Sequence, residues 1–120
     1  MPQAITVLVV EDEPLVRMDI ADQLAELGFL VVEAANASEA VSVLATRDDI
    51  QLMFTDVDMP GSMDGLMLAA AVRDGWPPVK IIVTSGHRNV SLSDLPNDSL
   101  FFEKPYSGTA IASAVREMLA

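Results

Sequence analysis

The sequence predicts an α/β domain in which a parallel β-sheet is covered by helices on both faces. Three observations support this prediction. Short apolar runs, several of them rich in β-branched residues, recur along the chain. Most are followed by a stretch with the spacing of an amphipathic helix. The connections are long enough to be crossovers between parallel strands. At 120 residues the chain is expected to be one domain, residues 1–120.

The first strand–helix unit lies at the N-terminus. Ile5 to Val10 is a continuous apolar run, which is typical of a strand buried on both faces. Pro14 suits the first turn of a helix, where its missing N–H is not needed. Gly28 suits the C-terminal cap of that helix. The apolar stripe expected to face the core consists of Val16, Ile20, Leu24 and Leu27.

The second and third strands follow at similar spacing. Leu30 to Val32 is a short predicted strand, and Asn36 or Ser38 can cap the helix after it. Leu52, Met53 and Phe54 lead into Thr55-Asp56 and then into a loop with Pro60, Gly61 and Gly65. This pattern predicts a buried third strand that ends at Asp56.

The C-terminal half contains two further strands. Leu66 to Val72 predicts a helix ending near Gly75, and Lys80 to Thr84 a fourth buried strand. Leu100 to Phe102 is short enough to be a fifth strand, and a last helix begins at about Ser107. Between His87 and Ser99 the pattern weakens, because the segment is rich in Ser, Asn and Asp and contains Pro96. We therefore expect a degenerate fourth helix there.

Composition and charge exclude several classes of function. The chain has 7 basic and 18 acidic residues, a net charge of −11, so direct binding to nucleic acid or to an anionic membrane is not expected. It has no cysteine, which excludes disulfides and thiolate metal sites. No apolar run approaches the roughly 20 residues that span a bilayer. The N-terminus lacks the positive residues of a signal peptide, so we expect a cytoplasmic protein.

Polar residues follow the predicted strands at the edge where parallel sheets bind ligands. Glu11 and Asp12 follow the first strand, and Asp56 ends the third. Thr84 ends the fourth strand, and Lys104 follows the fifth. Crowded carboxylates repel, and either raised pKa values or a divalent cation relieves the repulsion. Oxygen ligands without cysteine favour Mg²⁺ over zinc. A carboxylate nucleophile, a metal, a hydroxyl and a lysine together can stabilise a transferring phosphoryl group.

In these residues the chain resembles the receiver domains of two-component response regulators over nearly its whole length. Glu11-Asp12 match the acidic pair of the family, Asp56 its phosphoacceptor and Thr84 its hydroxyl position. Lys104-Pro105 match its lysine–proline pair, and Phe101 falls at its aromatic switch position. The TSGH run after the fourth strand and the FEKPY run at the fifth are similar to stand-alone alphaproteobacterial receivers. The resemblance implies a flavodoxin-like fold of five β-α units with strand order 2-1-3-4-5.

The resemblance also implies a mechanism. Asp56 would accept a phosphoryl group from a phosphohistidine of a sensor histidine kinase or a histidine phosphotransfer protein. Mg²⁺ would be held by Asp12, Asp56 and the backbone carbonyl of Asp58, with Glu11 acting through water. Lys104 and Thr84 would contact the phosphoryl group, and Phe101 would then turn inward. A cis Lys104–Pro105 bond is expected.

The resemblance further implies a phosphorelay protein that signals to a downstream protein target and is not a turnover enzyme. We expect a monomer or a weak homodimer. Two alternatives stay open. One is an aspartate-nucleophile phosphohydrolase, since a strand ending in D-x-D also opens phosphatases of the haloacid-dehalogenase type. The other is an interaction module that keeps the fold without phosphorylation. Two departures from the family pattern are an extra serine, Ser62, after Pro60-Gly61, and the short segment between Thr84 and Lys104.

Overall fold

The computed structural model describes residues 4–59, 63–86, 95–96 and 98–120. Within these ranges strands and helices alternate along the chain. The strands are β1 (Thr6–Val10), β2 (Leu30–Ala34), β3 (Leu52–Asp56), β4 (Lys80–Ser85) and β5 (Leu100–Glu103). The helices are α1 (Pro14–Glu26), α2 (Ala37–Thr46), α3 (Gly65–Gly75) and α4 (Gly108–Met118).

The five strands form one parallel sheet in the order β2-β1-β3-β4-β5. This confirms the predicted flavodoxin-like topology. The central strands β1 and β3 are fully buried, whereas the edge strands β2 and β5 are partly exposed. The degenerate fourth helix was predicted between β4 and β5. That prediction falls on residues 87–94 and 97, which lie outside the described part of the chain.

Side chains alternate between the two faces of the sheet and build two separate cores, because successive strand residues point in opposite directions. Leu8, Met53 and Ile81 pack with α2 and α3 on one face. Val9, Phe54 and Ile82 pack with α1 and α4 on the other. Covering both faces explains why these strands are continuous apolar runs.

The helix ends match local sequence chemistry. Asn36, Asp64 and Ser107 each accept a hydrogen bond at their side chain from a backbone N–H three residues later, and so begin α2, α3 and α4. Gly28 follows α1 with a φ of +100°, a conformation that glycine adopts without strain. The described part of the chain contains no helix with the length and hydrophobicity needed to cross a lipid bilayer.

Some strand ends and one helix residue differ from the sequence prediction. Strand β2 continues two residues beyond Val32, because Glu33 and Ala34 pair with β1 although Glu33 breaks the apolar run. Val16, predicted to face the core, is 38% exposed. It lies in the first turn of α1, before the part of the helix where Ile20 and Leu24 are buried against the sheet.

Candidate functional site

The C-terminal ends of four strands bring the predicted site residues to one edge of the sheet. Asp56 is the last residue of β3, and its register partner on β4 is Thr84. Ser85 pairs with Glu103, so β5 delivers Lys104 one residue later. Glu11 follows β1 directly, and its N–H bonds to the carbonyl of Ala34 at 3.1 Å. The convergence expected from the topology is therefore present.

Three carboxylates form a compact acidic cluster at this edge. Glu11, Asp12 and Asp56 each place one oxygen within 4.8 Å of the others. Glu11 and Asp56 are only 3% and 4% exposed, whereas Asp12 is partly open to solvent. Such a set of oxygen ligands with one open side fits a hard divalent cation such as Mg²⁺, which keeps several of its own waters.

Lys104 supplies the cation that faces this cluster. Its Nζ donates a hydrogen bond to Oδ2 of Asp56 at 3.1 Å and lies 3.5 Å from Oε1 of Glu11. Burial works to lower the pKa of Lys104, but the hydrogen bond and charge of Asp56, together with Glu11, outweigh it and raise this pKa. The ammonium is therefore charged at neutral pH. The Lys104–Pro105 peptide bond is cis, as predicted.

Glu11 has the most perturbed carboxyl group of the cluster. Burial is the largest cause, and the hydrogen bond and negative charge of Asp56 add to it, so the pKa of Glu11 rises to about 8. The nearby charge of Lys104 lowers this pKa but does not compensate. The cluster thus holds a proton near neutral pH, and binding of a divalent cation would compete with that proton.

The Thr84 hydroxyl has no hydrogen-bond partner among the described residues. Thr84 is 1% exposed, and its Oγ1 is buried. The backbone of the same residue is anchored, since its carbonyl accepts a hydrogen bond from the N–H of Val57 at 2.9 Å. A buried hydroxyl without a partner is unfavourable in the resting state and could donate to an oxygen that arrives beside Asp56.

Two side chains at this edge were missed by the sequence interpretation. The hydroxyl of Ser85 donates to Oδ2 of Asp58 at 2.9 Å, and the N–H of Asp58 donates to Oδ1 of Asp56 at 3.2 Å. Arg17 donates from Nη1 to the carbonyl of Glu11 at 2.8 Å. These contacts depend on how loops and a helix start fold over the strand ends, and no spacing in the sequence indicates them.

Phe101 is half-buried on β5, where it pairs with Val83 and packs against the core on the α2–α3 side. Its role as a switch and that of the Asp58 carbonyl as a metal ligand stay predictions. His87 lies outside the described residues.

Comparison with known proteins identifies the family. The response regulator receiver domain matches residues 7–96. The chain is 37% identical to the sensor kinase CckA of Brucella abortus over 95% of its own length and 12% of that protein. It is 32% identical to the positive alginate biosynthesis regulatory protein of Pseudomonas aeruginosa, covering 92% of this chain and 46% of the relative. The chain thus spans less than half the length of either relative.

Solved structures agree with this assignment. A response regulator receiver protein from Sinorhizobium medicae superposes with a TM-score of 0.89 at 28% identity, covering 98% of this chain and 95% of that one. The response regulator TrrA from Thermotoga maritima, in complex with Mg²⁺-BeF, gives 0.83 at 28% identity and covers 95% and 98%. Neither the phosphohydrolase nor the phosphorylation-independent module is favoured by these similarities. The chain belongs to the response regulator receiver domain family, with a phosphoacceptor role in two-component signalling.

Proposed function

We propose that Asp56 is the phosphoacceptor of this receiver domain. The observation that supports this most strongly is the hydrogen bond from Lys104 to Asp56, made at a cluster of three carboxylates of which Glu11 and Asp56 are buried. Among the described residues, Asp56 alone combines the end of a central strand, contact with a charged lysine and a place among the candidate metal ligands. Its second oxygen accepts the N–H of Asp58, so the carboxylate is held in one orientation.

Phosphoryl transfer needs an oxygen nucleophile and stabilisation of the charge on the transferred group. A carboxylate oxygen of Asp56 would form a bond to phosphorus while the P–N bond of a phosphohistidine breaks. The electron pair of that bond stays on the departing imidazole nitrogen. Lys104 would keep its charge beside the new phosphoryl oxygens. The hydroxyl of Thr84, which has no partner among the described residues, would donate a hydrogen bond to one of them. Phe101 lies on β5, next to the strand of Thr84, and would then turn inward.

The acidic cluster fits a Mg²⁺ site. Asp12, Asp56 and the carbonyl of Asp58 would bind the ion directly, and Glu11 would bind through water. When bound, Mg²⁺ neutralises negative charge on the phosphoryl oxygens. The Mg²⁺-BeF complex of TrrA supports this proposal, since that relative has a similar fold and is 28% identical.

The family implies a kinase or phosphotransfer partner. We infer a sensor histidine kinase or a histidine phosphotransfer protein as the donor and a downstream protein as the target. The surplus of acidic residues favours no direct contact with nucleic acid or membrane. We further infer that the domain promotes its own phosphorylation and dephosphorylation without acting as a turnover enzyme. We also infer a cytoplasmic location and a monomeric or weakly dimeric state.

The test is phosphorylation by acetyl phosphate with Mg²⁺, followed by intact mass. The wild type should gain one acid-labile phosphoryl group, and Asp56→Asn should gain none. Asp58→Asn is a matched control, because it removes the nearest other carboxylate of the β3–α3 loop and keeps the backbone. Undiminished labelling of Asp56→Asn would refute the assignment. The absence of labelling in folded wild-type protein supplied with Mg²⁺ would refute it as well.

A further inference from the structure

Arg17 lies against the loop that carries the acidic pair, although it belongs to a helix. Its side chain is only 19% exposed. Nη1 donates to the backbone carbonyl of Glu11 at 2.8 Å, and Nε donates to Oε1 of Glu33 at 3.3 Å. The planar guanidinium therefore connects the start of α1, the loop after β1 and the end of β2. A lysine has a single ammonium and cannot reproduce this forked geometry.

The Glu11 peptide is held from both sides by these contacts. Its N–H donates to the carbonyl of Ala34 on β2, and its carbonyl accepts from Arg17. The N–H of Asp12, in the same peptide unit as that carbonyl, donates to Oε2 of Glu11 at 3.1 Å. The backbone that carries the two consecutive carboxylates is thus held by Ala34 and Arg17, which lie outside the cluster.

The two contacts of Arg17 differ in energetic weight. The ion pair with Glu33 is partly open to solvent, because the Glu33 side chain is 43% exposed, and exposed pairs contribute little. The charge-assisted hydrogen bond to the Glu11 carbonyl is less exposed than this ion pair, and it acts directly on a residue of the proposed metal site. Removing Arg17 should therefore affect the site more than neutralising Glu33.

We propose that Arg17 is a positioning residue for Mg²⁺, because it fixes the backbone from which Glu11 and Asp12 reach the ion. This inference rests on the proposed Mg²⁺ site. Without Arg17 the loop after β1 samples more conformations, and metal binding has to order it again. Outer contacts of this kind commonly change metal affinity without belonging to the ligand set.

The experiment is a calorimetric Mg²⁺ titration of the wild type, Arg17→Lys, Arg17→Met and Glu33→Gln. Arg47→Met is the matched control, since Arg47 forms an exposed ion pair with Asp49 in the loop before β3, whereas the cluster lies at the other end of the strands. We expect Arg17→Met to weaken Mg²⁺ binding about tenfold, at the lower end of outer-contact effects. Arg17→Lys should lie between it and the wild type, Glu33→Gln should change little, and Arg47→Met should match the wild type.

A second measurement separates positioning from general damage. In the acetyl phosphate reaction, the Mg²⁺ concentration at half-maximal rate should rise for the Arg17 variants while the rate at saturating Mg²⁺ recovers. If the wild type binds no Mg²⁺, the proposed function itself fails. If the wild type binds and Arg17→Lys and Arg17→Met, where folded, bind equally well, only the role of Arg17 is overturned. Should Arg17→Met not fold, Arg17→Lys decides by the same comparison.

Discussion

Two buried threonines near the site differ in their hydrogen bonds, and the difference separates a structural hydroxyl from a functional one. Thr55 is fully buried, and its hydroxyl donates to the backbone carbonyl of Asp56 at 3.0 Å. The Thr84 hydroxyl is also buried but has no partner within the described residues. A hydroxyl that is satisfied contributes to stability, whereas a buried one without a partner costs free energy.

We predict opposite effects for the same substitution at these two positions. Thr55→Val should lower the free energy of unfolding by about 1 kcal/mol, because it removes a buried hydrogen bond. Thr84→Val should leave stability unchanged or raise it by up to about 1 kcal/mol, since it removes an unsatisfied group. Urea denaturation of the unphosphorylated proteins measures both.

Of the two substitutions, only Thr84→Val should weaken the response to beryllofluoride. With Mg²⁺ and beryllofluoride, the NMR shift changes of Thr84→Val should be smaller than those of the wild type, and Thr84→Ser should restore them. A Thr84→Val protein that is as destabilised as Thr55→Val would contradict the unsatisfied state of this hydroxyl. A wild-type response to beryllofluoride in Thr84→Val would contradict its role.

The site residues also differ in how far the sequence could predict them. The positions of Asp56, Thr84 and Lys104 could be predicted because each lies at or beside the C-terminal end of a strand, which fixes its place once the sheet order is known. Arg17 and Ser85 could not. Their polar contacts have partners that are set by the path of a loop, and one Arg at a helix start looks like any solvated residue.

At the scale of an element, the start of α3 is fixed by a close approach to β3. A Cβ added at Gly65 would overlap the backbone carbonyl of Asp56. The N–H of Gly65 also donates to the carbonyl of Val57 at 3.1 Å. Only a residue without a side chain allows the helix to begin this near the site.

Gly65→Ala should therefore destabilise the protein by about 1–3 kcal/mol, the usual range for overpacking. Gly75→Ala is the matched control in the same helix, because a Cβ there meets no atom within 4 Å. That variant should be neutral or up to about 1 kcal/mol more stable, since alanine restricts the unfolded chain. Equal unfolding midpoints for the two variants would show that the helix start can shift away from β3 without loss.

Helix α1 leaves apolar side chains in solvent next to the site. Leu15 is 79% and Met18 53% exposed, and both lie in its first two turns, directly after the loop of Glu11 and Asp12. In the proposed transfer, a donor protein approaches this edge to bring its phosphohistidine to Asp56. We therefore expect Leu15 and Met18 to be covered during transfer.

The double variant Leu15→Ala/Met18→Ala should slow phosphotransfer from a phosphorylated histidine-containing donor about tenfold, equivalent to about 1.4 kcal/mol of lost contact. Its rate with acetyl phosphate, which needs no docking, should equal that of the wild type. Leu30→Ala is the control, because Leu30 is 56% exposed at the start of β2, the opposite end of the sheet. Slowing by Leu30→Ala to the same extent would place the contact elsewhere.

Element boundaries show why pattern alone stops short. The strands were predicted from apolar runs, so polar residues that belong to them, such as Glu33 and Glu103, were left out. Val16 fits a helical stripe in sequence, but a stripe does not reveal how far the sheet extends beneath the helix. Only the packing of the first turn of α1 shows how far the sheet extends beneath this helix.

At the scale of the whole molecule, the acidic cluster couples stability to pH. In the folded protein the pKa of Glu11 is raised to about 8 from an ordinary value of 4.5. Between these two values the folded state holds a proton that the unfolded chain has released. The stability that this proton provides is complete below pH 4.5 and is lost as pH rises toward 8.

Without divalent cations, the free energy of unfolding of the wild type should therefore fall as pH rises across this range. Glu11→Gln removes the titrating group and should flatten the curve, while the repulsion from the net charge of −11 acts on both proteins. Added Mg²⁺ should stabilise the wild type most at the high end, because the ion competes with the proton. Parallel curves for the wild type and Glu11→Gln would show that Glu11 does not cause the slope.

The site residues lie at strand ends, whereas the exposed apolar residues lie on α1. This separation affects how such a protein can diverge in sequence. Every side chain assigned here to phosphoryl chemistry comes from a strand end or the loop beside it. Leu15 and Met18 belong to neither hydrophobic core of the described residues. Substitutions on that face can accumulate without altering the chemistry. On this proposed docking face, substitutions in a duplicated copy of the chain would change the choice of partner while the acidic cluster and Lys104 stay unchanged.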